Sequence, residues 1–281
     1  MPGDYAFLVA GLPVLSLENE TRGFSFVHLR NEVKELLSDE DNLFLAWLFY
    51  PADNRNLLLR LANKEVEPDI TANFSAAELA SFQEEPALAP PYMADFLRIH
   101  LAKEGSAEGD AVSAQFGDWP EMHLLTRFYA AASEVSHPFV REWLEFDRAF
   151  RNLCAAKAAR LWQRPADSDL VGEGSLVELL SGNSSSELLS APEEGWMRSL
   201  LEAFSLKSAI AREKQFDLIR WQWLDNYTAF HYLDEYVVFA HMLKAGIVAR
   251  WLRLDPESGK ELFRKMLAQT RGDYRLADAM E

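Results

Sequence analysis

An all-α fold, with at most a short N-terminal strand, is predicted for this chain of 281 residues. Apolar residues recur at intervals of three and four along most of the sequence, which is the period of a helix that buries one face. Strands do not alternate with helices in the way that marks a parallel-sheet enzyme. The chain is 49% hydrophobic and has only 13 Gly and 12 Pro, so it is able to build a packed core without disulfides or metals. We expect one helical domain over residues 1–281.

The first hundred residues are predicted to be helical after an apolar N-terminal segment, which is expected to be a short strand at 4–10 or a turn of helix. Pro51 is expected to end a helix, because proline lacks an amide donor and clashes with the preceding turn. Ser75 and Glu78 have the spacing of a capping box, in which side chains satisfy the first amides of a helix. Arg30 falls on the polar face of the first predicted helix. The predicted helices are 24–37, 39–50, 53–62 and 92–101.

The second half of the chain contains the strongest helical pattern, at 219–254. This pattern predicts either one long helix or two helices stacked end to end. Pro138 is well placed in the first turn of a helix that runs to about residue 162. Residues 165–195 are rich in Ser, Gly, Asp and Glu, and are predicted as a mobile excursion or as an ordered loop with one short helix. Further predictions are a loop at 102–113, a helix at 121–135 and a last helix after Asp255-Pro256.

The charge of the chain limits its partners. Asp and Glu number 44 against 28 Lys and Arg, which gives a formal net charge of −16. Nucleic acids and anionic lipid head groups attract proteins through Lys and Arg, and no block of basic residues appears in the sequence. The longest apolar run, at 43–50, is much shorter than the roughly 20 residues of a membrane span. We therefore expect a cytoplasmic protein that reaches a membrane only through a partner.

We assign no catalytic, cofactor-binding or metal-binding residue from the sequence. No complete Gly-rich phosphate loop occurs, and Gly172 with Gly174 forms only a partial match that follows no strand. The single cysteine, Cys154, cannot form an internal disulfide and is interpreted as a small buried hydrophobe. The acidic residues 39–41 follow Ser38 and are interpreted as a first helical turn, where acids complement the helix dipole, rather than as a metal site.

Other polar and aromatic residues also receive structural interpretations. His231 and His241 lie ten residues apart on the predicted C-terminal helix, on different faces, so they are unable to share a metal. Salt bridges at helical spacing are predicted for two pairs, Glu145 with Arg148 and Asp147 with Arg151. The aromatic cluster at 221–231 could line a pocket, but its helical spacing favours the core.

Four segments of the chain carry a resemblance to a known family. They are Ala10-Gly11-Leu12-Pro13 and residues 49–60, 143–153 and 230–261. The second has an aromatic–Asp–Asn–Leu–Leu–Arg pattern, and the third has a Glu–aromatic–Asp–Arg pattern. Together they resemble the C (or d) subunit of V/A-type rotary ATPases, and more closely a divergent family encoded among V/A-type ATPase genes in certain bacteria. The helical repeat of that subunit has a faint echo here, Asp53 with Asn56-Leu57 and Asp147 with Asn152-Leu153.

The resemblance implies a non-catalytic adaptor in the central stalk of a V/A-type ATPase or ATP synthase. Its implied partners are the rotor-stalk subunits and the membrane proteolipid ring, with no cofactor, nucleic acid or small-molecule substrate. Two alternatives stay open. One is an all-helical enzyme with an aromatic-lined pocket near Trp221, Trp223, Tyr227 and His231, and the other is a scaffold or regulator unrelated to ATPases.

Overall fold

The computed structural model describes residues 5–17, 24–64, 67–101, 120–181 and 195–253. These residues form eleven α-helices and two short 3₁₀ turns, which confirms the prediction of an all-α fold. The helices are α1 (Ala6–Gly11), α2 (Phe26–Leu36), α3 (Asp39–Leu61), α4 (Ala76–Glu84), α5 (Pro91–His100), α6 (Pro120–Ser133), α7 (Pro138–Leu161), α8 (Ser175–Ser181), α9 (Gly195–Ala203), α10 (Ala209–Tyr227) and α11 (Glu235–Arg253). The predicted loop at 102–113, residues 182–194 of the predicted excursion and the helix predicted after Asp255 lie outside the described residues.

The starts of several helices follow the local signals in the sequence. Ser75 Oγ accepts a hydrogen bond from the Glu78 amide at 3.3 Å, and the Glu78 carboxylate accepts one from the Ser75 amide at 2.8 Å. Ser38 Oγ accepts from the Asp41 amide at 3.0 Å, so residues 39–41 do lie in a first helical turn. Pro138 is the first residue of α7. These signals work because a helix start depends on only a few neighbouring residues.

Of the two structures expected for the N-terminal segment, the turn of helix is confirmed and the strand is wrong, because this segment is helix α1. The Val9 amide donates to the Tyr5 carbonyl at 2.8 Å, which is a helical hydrogen bond. Leu8 is buried, whereas the adjacent Phe7 is exposed. A short run of apolar residues has no period of its own, so it is unable to distinguish a strand from a turn of helix.

The prediction that Pro51 ends a helix is also wrong. Helix α3 continues through Pro51 from Asp39 to Leu61. Proline inside a helix costs about 3 kcal/mol because one backbone hydrogen bond is lost. The helix is held on both sides of this point, since Leu48 and Phe49 before it and Leu57 after it are buried. Tertiary packing therefore outweighs the local preference.

The C-terminal pattern forms two helices that fold back on each other rather than stack end to end. Residues 228–234 reverse the chain between α10 and α11. Lys244 pairs with Asp225, and Arg250 pairs with Asp217 further from the turn, so the two helices are antiparallel. The connection contains neither Gly nor Pro, and its residue Phe230 continues the apolar pattern although it is 88% exposed. The sequence gives no sign of the turn for this reason.

Three long helices, α3, α7 and α11, run broadly parallel. Contacts between Phe139 and Tyr227 (5.2 Å between ring centroids) and between Phe150 and Phe216 (5.6 Å) show that α10 is antiparallel to α7. Helix α10 is antiparallel to α11 as well, so α7 and α11 share a direction. Arg253, at the end of α11, lies 2.8 Å from Glu67, which follows the end of α3. We call the end where these three helices begin the N-end of the bundle, and the opposite end the C-end.

The core is a single connected cluster of buried apolar residues that includes side chains from most of the helices. Aromatic side chains dominate it between α7 and α10, where Phe146 stacks on Trp223 at 5.0 Å. Trp223 and Tyr227 thus pack against α7, as their helical spacing predicted. Within the described ranges, none of the helices combines the length and the apolar composition that crossing a bilayer requires.

Candidate functional site

A buried acid–base pair lies at the N-end of the bundle, where the starts of three helices meet. His137 immediately precedes α7, and Glu235 is the first residue of α11. Their side chains are only 7% and 8% exposed. Phe44 of α3 packs on the imidazole with 4.9 Å between ring centroids. Residues far apart in the sequence are therefore brought together by the parallel arrangement of α3, α7 and α11.

The geometry of this pair leaves polar atoms unsatisfied. His137 Nε2 lies 3.6 Å from Glu235 Oε1, which is within ion-pairing range but too long for a strong hydrogen bond. Both imidazole nitrogens and the Glu235 Oε2 atom lack a hydrogen-bonding partner among the described residues. Aromatic rings enclose the pair, with Tyr236 at 4.9 Å and Phe239 at 5.3 Å from the imidazole. Buried polar atoms of this kind are costly unless water or a ligand satisfies them.

Burial controls the protonation of His137. It lowers the pKa of the imidazole, because the charged form loses its hydration, and the nearby Glu235 and Asp41 only partly oppose this effect. Arg141 disfavours the imidazolium further. The imidazole is thus held in its neutral form around pH 7, where it is able to accept a proton only at an energetic cost.

Helix α1 lies across the N-end and fastens it. The Tyr5 hydroxyl donates to the Asp41 carboxylate and accepts from the Ser38 amide at 3.1 Å. The Tyr5 amide donates to the Leu233 carbonyl at 2.9 Å, which ties α1 to the turn before α11. Burial and the hydrogen bond to Asp41 raise the pKa of Tyr5. One tyrosine therefore connects α1, the start of α3 and the 228–234 turn.

An apolar surface surrounds these connections. Phe7 of α1 and Phe230 of the turn are 84% and 88% exposed, and Tyr232 and Leu233 beside them are exposed as well. His231 stacks on Tyr236 at 4.2 Å and lies 2.6 Å from Asp234. Exposed aromatic residues that cluster at one end of a molecule mark an interaction surface more often than an accident of folding. We call this set, Phe7 with residues 230–233, the N-end surface.

Two cavities among the described residues lie away from the buried pair. One cavity of about 670 Å³ lies near the C-terminal ends of α3 and α5, and its lining includes Asn56, Arg60, Gln83 and His100. Another lies beside Gly172 and α8. His137 and Glu235 line neither of these two cavities.

The segment of α3 that carries the family resemblance forms a buried polar network. Asp53 is fully buried and accepts hydrogen bonds from the Phe74 amide at 2.8 Å and from the Asn73 side chain at 2.5 Å. Burial raises the pKa of Asp53 to about 6, although these hydrogen bonds and Arg30 oppose the shift. The placement of Arg30 on a polar face was wrong. This residue is buried, and its guanidinium donates to the carbonyl of Thr71 at 2.7 Å.

The faint repeat in the sequence corresponds to two similar backbone clamps. The side chain of Asn56 donates to the Asp69 carbonyl at 3.3 Å and accepts from its amide at 2.8 Å. In α7, Asn152 donates to the Val171 carbonyl at 2.8 Å and accepts from its amide at 2.9 Å. Each asparagine therefore holds the connection that follows its own helix. These residues stabilise the fold and do not face a cavity together.

The salt bridges predicted within α7 are not formed. Asp147 instead accepts a hydrogen bond from the Tyr129 hydroxyl at 2.8 Å, which joins α7 to α6. Arg151 donates to the Asp169 carbonyl at 2.9 Å. Arg148 lies against Gly172, where a Cβ atom would come within 2.6 Å of its guanidinium. The side chains thus form contacts between elements, which spacing along one helix was unable to indicate.

Three further sets of candidate residues, namely two histidines, the cysteine and a glycine, lie where they have structural roles. His231 lies in the turn and only His241 lies on α11, so the prediction that one helix carries both was wrong. Partial burial lowers the pKa of His241 to about 4 and raises the pKa of Cys154 to about 12. Cys154 was expected to be buried, but it is only partly buried and packs against the core. Gly172 has a φ of +85°, so glycine is required there by the turn and by Arg148 rather than by a phosphate. Across the described ranges, no three His, Cys, Asp or Glu residues converge as metal ligands.

The chain matches a protein family along nearly its whole length. A family model described as "Protein of unknown function (DUF2764)" matches residues 2–272. The chain belongs to this family. No curated protein and no solved structure matches it. The DUF2764 match includes the His137–Glu235 pair, the Asp53 network and both asparagine clamps, so these features lie within the family region rather than in an added segment.

Proposed function

We propose that this protein is a non-catalytic adaptor in the central stalk of a V/A-type rotary ATPase or ATP synthase. It would link the soluble rotor stalk to the membrane proteolipid ring and transmit torque between them. The proposal began with the resemblance of segments in α3, α7 and α11 to the C (or d) subunit. Features of the fold that suit an adaptor support it.

The observation that carries the proposal is that a group of exposed apolar residues lies at each end of the long helices, in addition to those scattered over the rest of the surface. At the N-end the group is Phe7, Phe230, Tyr232 and Leu233. At the C-end they are Leu161, Trp162, Leu206 and Ile210. An adaptor needs two separate docking surfaces, whereas an enzyme needs one pocket. Exposed large apolar side chains at opposite ends fit the first requirement.

The long helices suit the transmission of torque between two such surfaces. Helices α3 and α7 contain 23 and 24 residues, so each is roughly 35 Å long. Charged groups fasten neighbouring helices to each other along this length. The buried Asp217 of α10 accepts from Trp251 of α11 at 2.7 Å and also pairs with Arg250. Close packing together with such clamps gives a stiff body, because packed interiors deform little.

The polar residues that could suggest an enzyme are engaged in holding the fold. Asp53, Asn152 and Asp217 each connect two elements by hydrogen bonds. The His137–Glu235 pair is the observation that favours the enzyme alternative, because it joins an acid and a base in an aromatic enclosure. The enzyme alternative rests on this one pair, whereas the adaptor proposal also accounts for the exposed apolar residues at the two ends of the bundle.

Purification from native membranes tests the proposal. A tagged copy is extracted in mild detergent, and the chains that accompany it are identified and quantified. We expect rotor-stalk and proteolipid subunits in fixed stoichiometry. A tagged Phe230→Ser variant should recover fewer of these subunits, because it alters the N-end surface. Phe230 is 88% exposed and contributes little to folding, so the loss would not result from unfolding. Recovery of the chain alone from a membrane that contains the ATPase would contradict the proposal.

A further inference from the structure

The C-end of the bundle carries an exposed apolar tip. Trp162 and Leu161 at the end of α7 are 78% and 67% exposed, and Ile210 at the start of α10 is 71% exposed. The α7 helix has a well-defined C-terminal end at this point. The Trp162 amide donates to the Ala158 carbonyl at 3.2 Å, and Gln163 takes a φ of +54°, which turns the chain away. The tip is thus presented on the end of a rigid helix.

The fold brings two segments of sequence to this tip. Ring contacts between α7 and α10 run antiparallel from Phe139 with Tyr227 to Phe150 with Phe216. Residues 157–164 continue α7 beyond the last of these contacts, and residues 205–214 lie at the matching end of α10. We call these two segments together the C-end surface. They share one end of the bundle although they are far apart in the sequence.

The C-end surface is strongly basic in a strongly acidic chain. It contains six basic residues and one acidic residue, Glu213, whereas the whole chain has a net charge of −16. Its basic residues are Lys157, Arg160, Arg164, Lys207, Arg212 and Lys214. Asp169 lies just outside the two segments and pairs with Arg164, which offsets one of these cations. Glu213 lies 3.3 Å from Arg250, which adds a further cation at this end. No block of basic residues exists in the sequence, so the fold alone creates this surface.

We propose that the C-end surface binds the surface of a membrane that contains anionic lipids. Exposed Trp and Leu side chains rimmed by Lys and Arg are typical of proteins that rest in the interface between head groups and acyl chains. The aromatic ring and the aliphatic side chains enter the interface, and the cations attract the negative head groups. Anionic lipids were not expected as partners because of the net charge of the whole chain. That net charge does not describe this end of the molecule.

Other polyanions fit the surface less well. Single-stranded nucleic acid is bound by several aromatic side chains on which successive bases stack, and this surface offers one, Trp162. The membrane proposal does not rest on the rotary-ATPase assignment, since the purified chain alone should bind. Within an ATPase it would direct the C-end toward the bilayer.

Flotation of the purified full-length protein with lipid vesicles tests this inference. Vesicles of phosphatidylcholine alone are compared with vesicles that also contain phosphatidylglycerol, at low and high salt. We expect the protein to float with the anionic vesicles at low salt, and much less with the neutral vesicles or at high salt, because exposed charges are screened. Lys207→Glu with Lys214→Glu should weaken binding on the order of tenfold or more, because each cation near an anionic surface contributes several-fold.

Matched control variants separate the surface from general charge effects. Lys34→Glu with Arg55→Glu makes the same change in net charge at exposed positions outside the surface, and it should bind like the natural protein. Trp162→Ser should weaken binding, whereas Phe230→Ser, which removes an equally exposed aromatic residue at the N-end, should not. Circular dichroism of each variant confirms that it is folded.

Three results would overturn the inference. One is that the natural protein fails to float with anionic vesicles at low salt. The second is that both pairs of charge reversals weaken binding equally, which would indicate a general charge effect. The third is that the C-end variants bind vesicles normally but lose a protein or nucleic-acid ligand, which would assign the surface to that partner instead.

Discussion

Asn152 of α7 holds the backbone of Val171 with two hydrogen bonds, at 2.8 Å to its carbonyl and 2.9 Å from its amide. Both residues are almost completely buried. This contact fixes the connection that follows α7, part of which was predicted to be mobile. Asn56 holds Asp69 after α3 in the same manner. A pattern that was only a faint repeat in the sequence thus has a physical role at both places.

Asn152→Ala should destabilise the protein by roughly 2–4 kcal/mol, because a buried amide and a buried carbonyl lose their partners. Asn56→Ala should have a smaller effect, since its hydrogen bond to the Asp69 carbonyl is longer, at 3.3 Å. Urea unfolding of the two variants gives these free energies. Asn31→Ala, on the exposed face of α2, is the control and should change stability by less than about 0.5 kcal/mol. Equal values for Asn31 and Asn152 would show that the clamp is unimportant.

The raised pKa of Asp53 predicts a loss of stability as the pH increases. A carboxyl group that binds its proton more tightly in the folded protein stabilises that state below the unfolded pKa, near 4. This stabilisation is lost as the pH rises through the folded value of about 6. We expect the natural protein to lose on the order of 2 kcal/mol between pH 4 and pH 7 relative to Asp53→Asn. Urea unfolding across this range measures the difference.

Asn31→Ala is again the control for this experiment, because Asn31 is exposed on α2 and has no titratable group. Its profile should run parallel to that of the natural protein. If the pH profiles of stability of the natural protein and of Asp53→Asn were parallel as well, the pKa of Asp53 would not be raised in the folded protein.

The His137–Glu235 pair predicts the opposite response to pH. A histidine whose folded pKa is lowered contributes stability that is present above its unfolded pKa of about 6.5 and is lost as the pH falls. Nuclear magnetic resonance titration should therefore give His137 a pKa below 6.5. Glu235→Gln should lower this pKa further, because the carboxylate favours the imidazolium. His123 of α6, whose pKa is lowered by burial and by Arg127 and His100 rather than by Glu235, should have the same pKa in both proteins. An increase for His137 in the variant would contradict the assignment.

Pro51→Ala should stabilise the protein by roughly 1–3 kcal/mol. Alanine restores the backbone hydrogen bond that proline is unable to make within α3, although the unfolded chain gains some freedom. Thermal unfolding measures the change. Pro91→Ala is the matched control, because Pro91 begins α5 and interrupts no helical hydrogen bond, so no gain is expected there. A loss of stability on Pro51→Ala would mean that the ring has a packing role that outweighs the backbone term.

The fold class could be predicted because the apolar period is a local property that survives in most helices. The cap at Ser75 and the start at Pro138 were predictable for the same reason. The break at Pro51 was predicted wrongly, since burial on both sides of the proline carries the helix through it. The turn at 228–234 was missed because it contains no helix-breaking residue and its exposed Phe230 imitates a core position.

The candidate sites could not be predicted from the sequence, because each is assembled from segments that are distant along the chain. His137 and Glu235 come from different helices, and neither stands in a motif. The burial of Arg30 depends on residues distant in the sequence. Its guanidinium donates to carbonyls in the connection after α3 and lies over the ring of Phe49, with 4.8 Å to the ring centroid. The basic C-end surface draws half of its cations from α7 and half from the start of α10. Neither the net charge nor the spacing of residues along the chain indicates that these cations lie together at one end of the bundle.

Site-specific photo-crosslinking at the two ends of the bundle tests the adaptor account most directly. A photoreactive amino acid replaces Phe230 at the N-end or Leu161 at the C-end, and each protein is irradiated in native membranes that contain the ATPase. The account predicts that the N-end position crosslinks to a rotor-stalk subunit and that the C-end position crosslinks to the proteolipid ring or to lipid. Crosslinks from neither end to any subunit of the ATPase would contradict it.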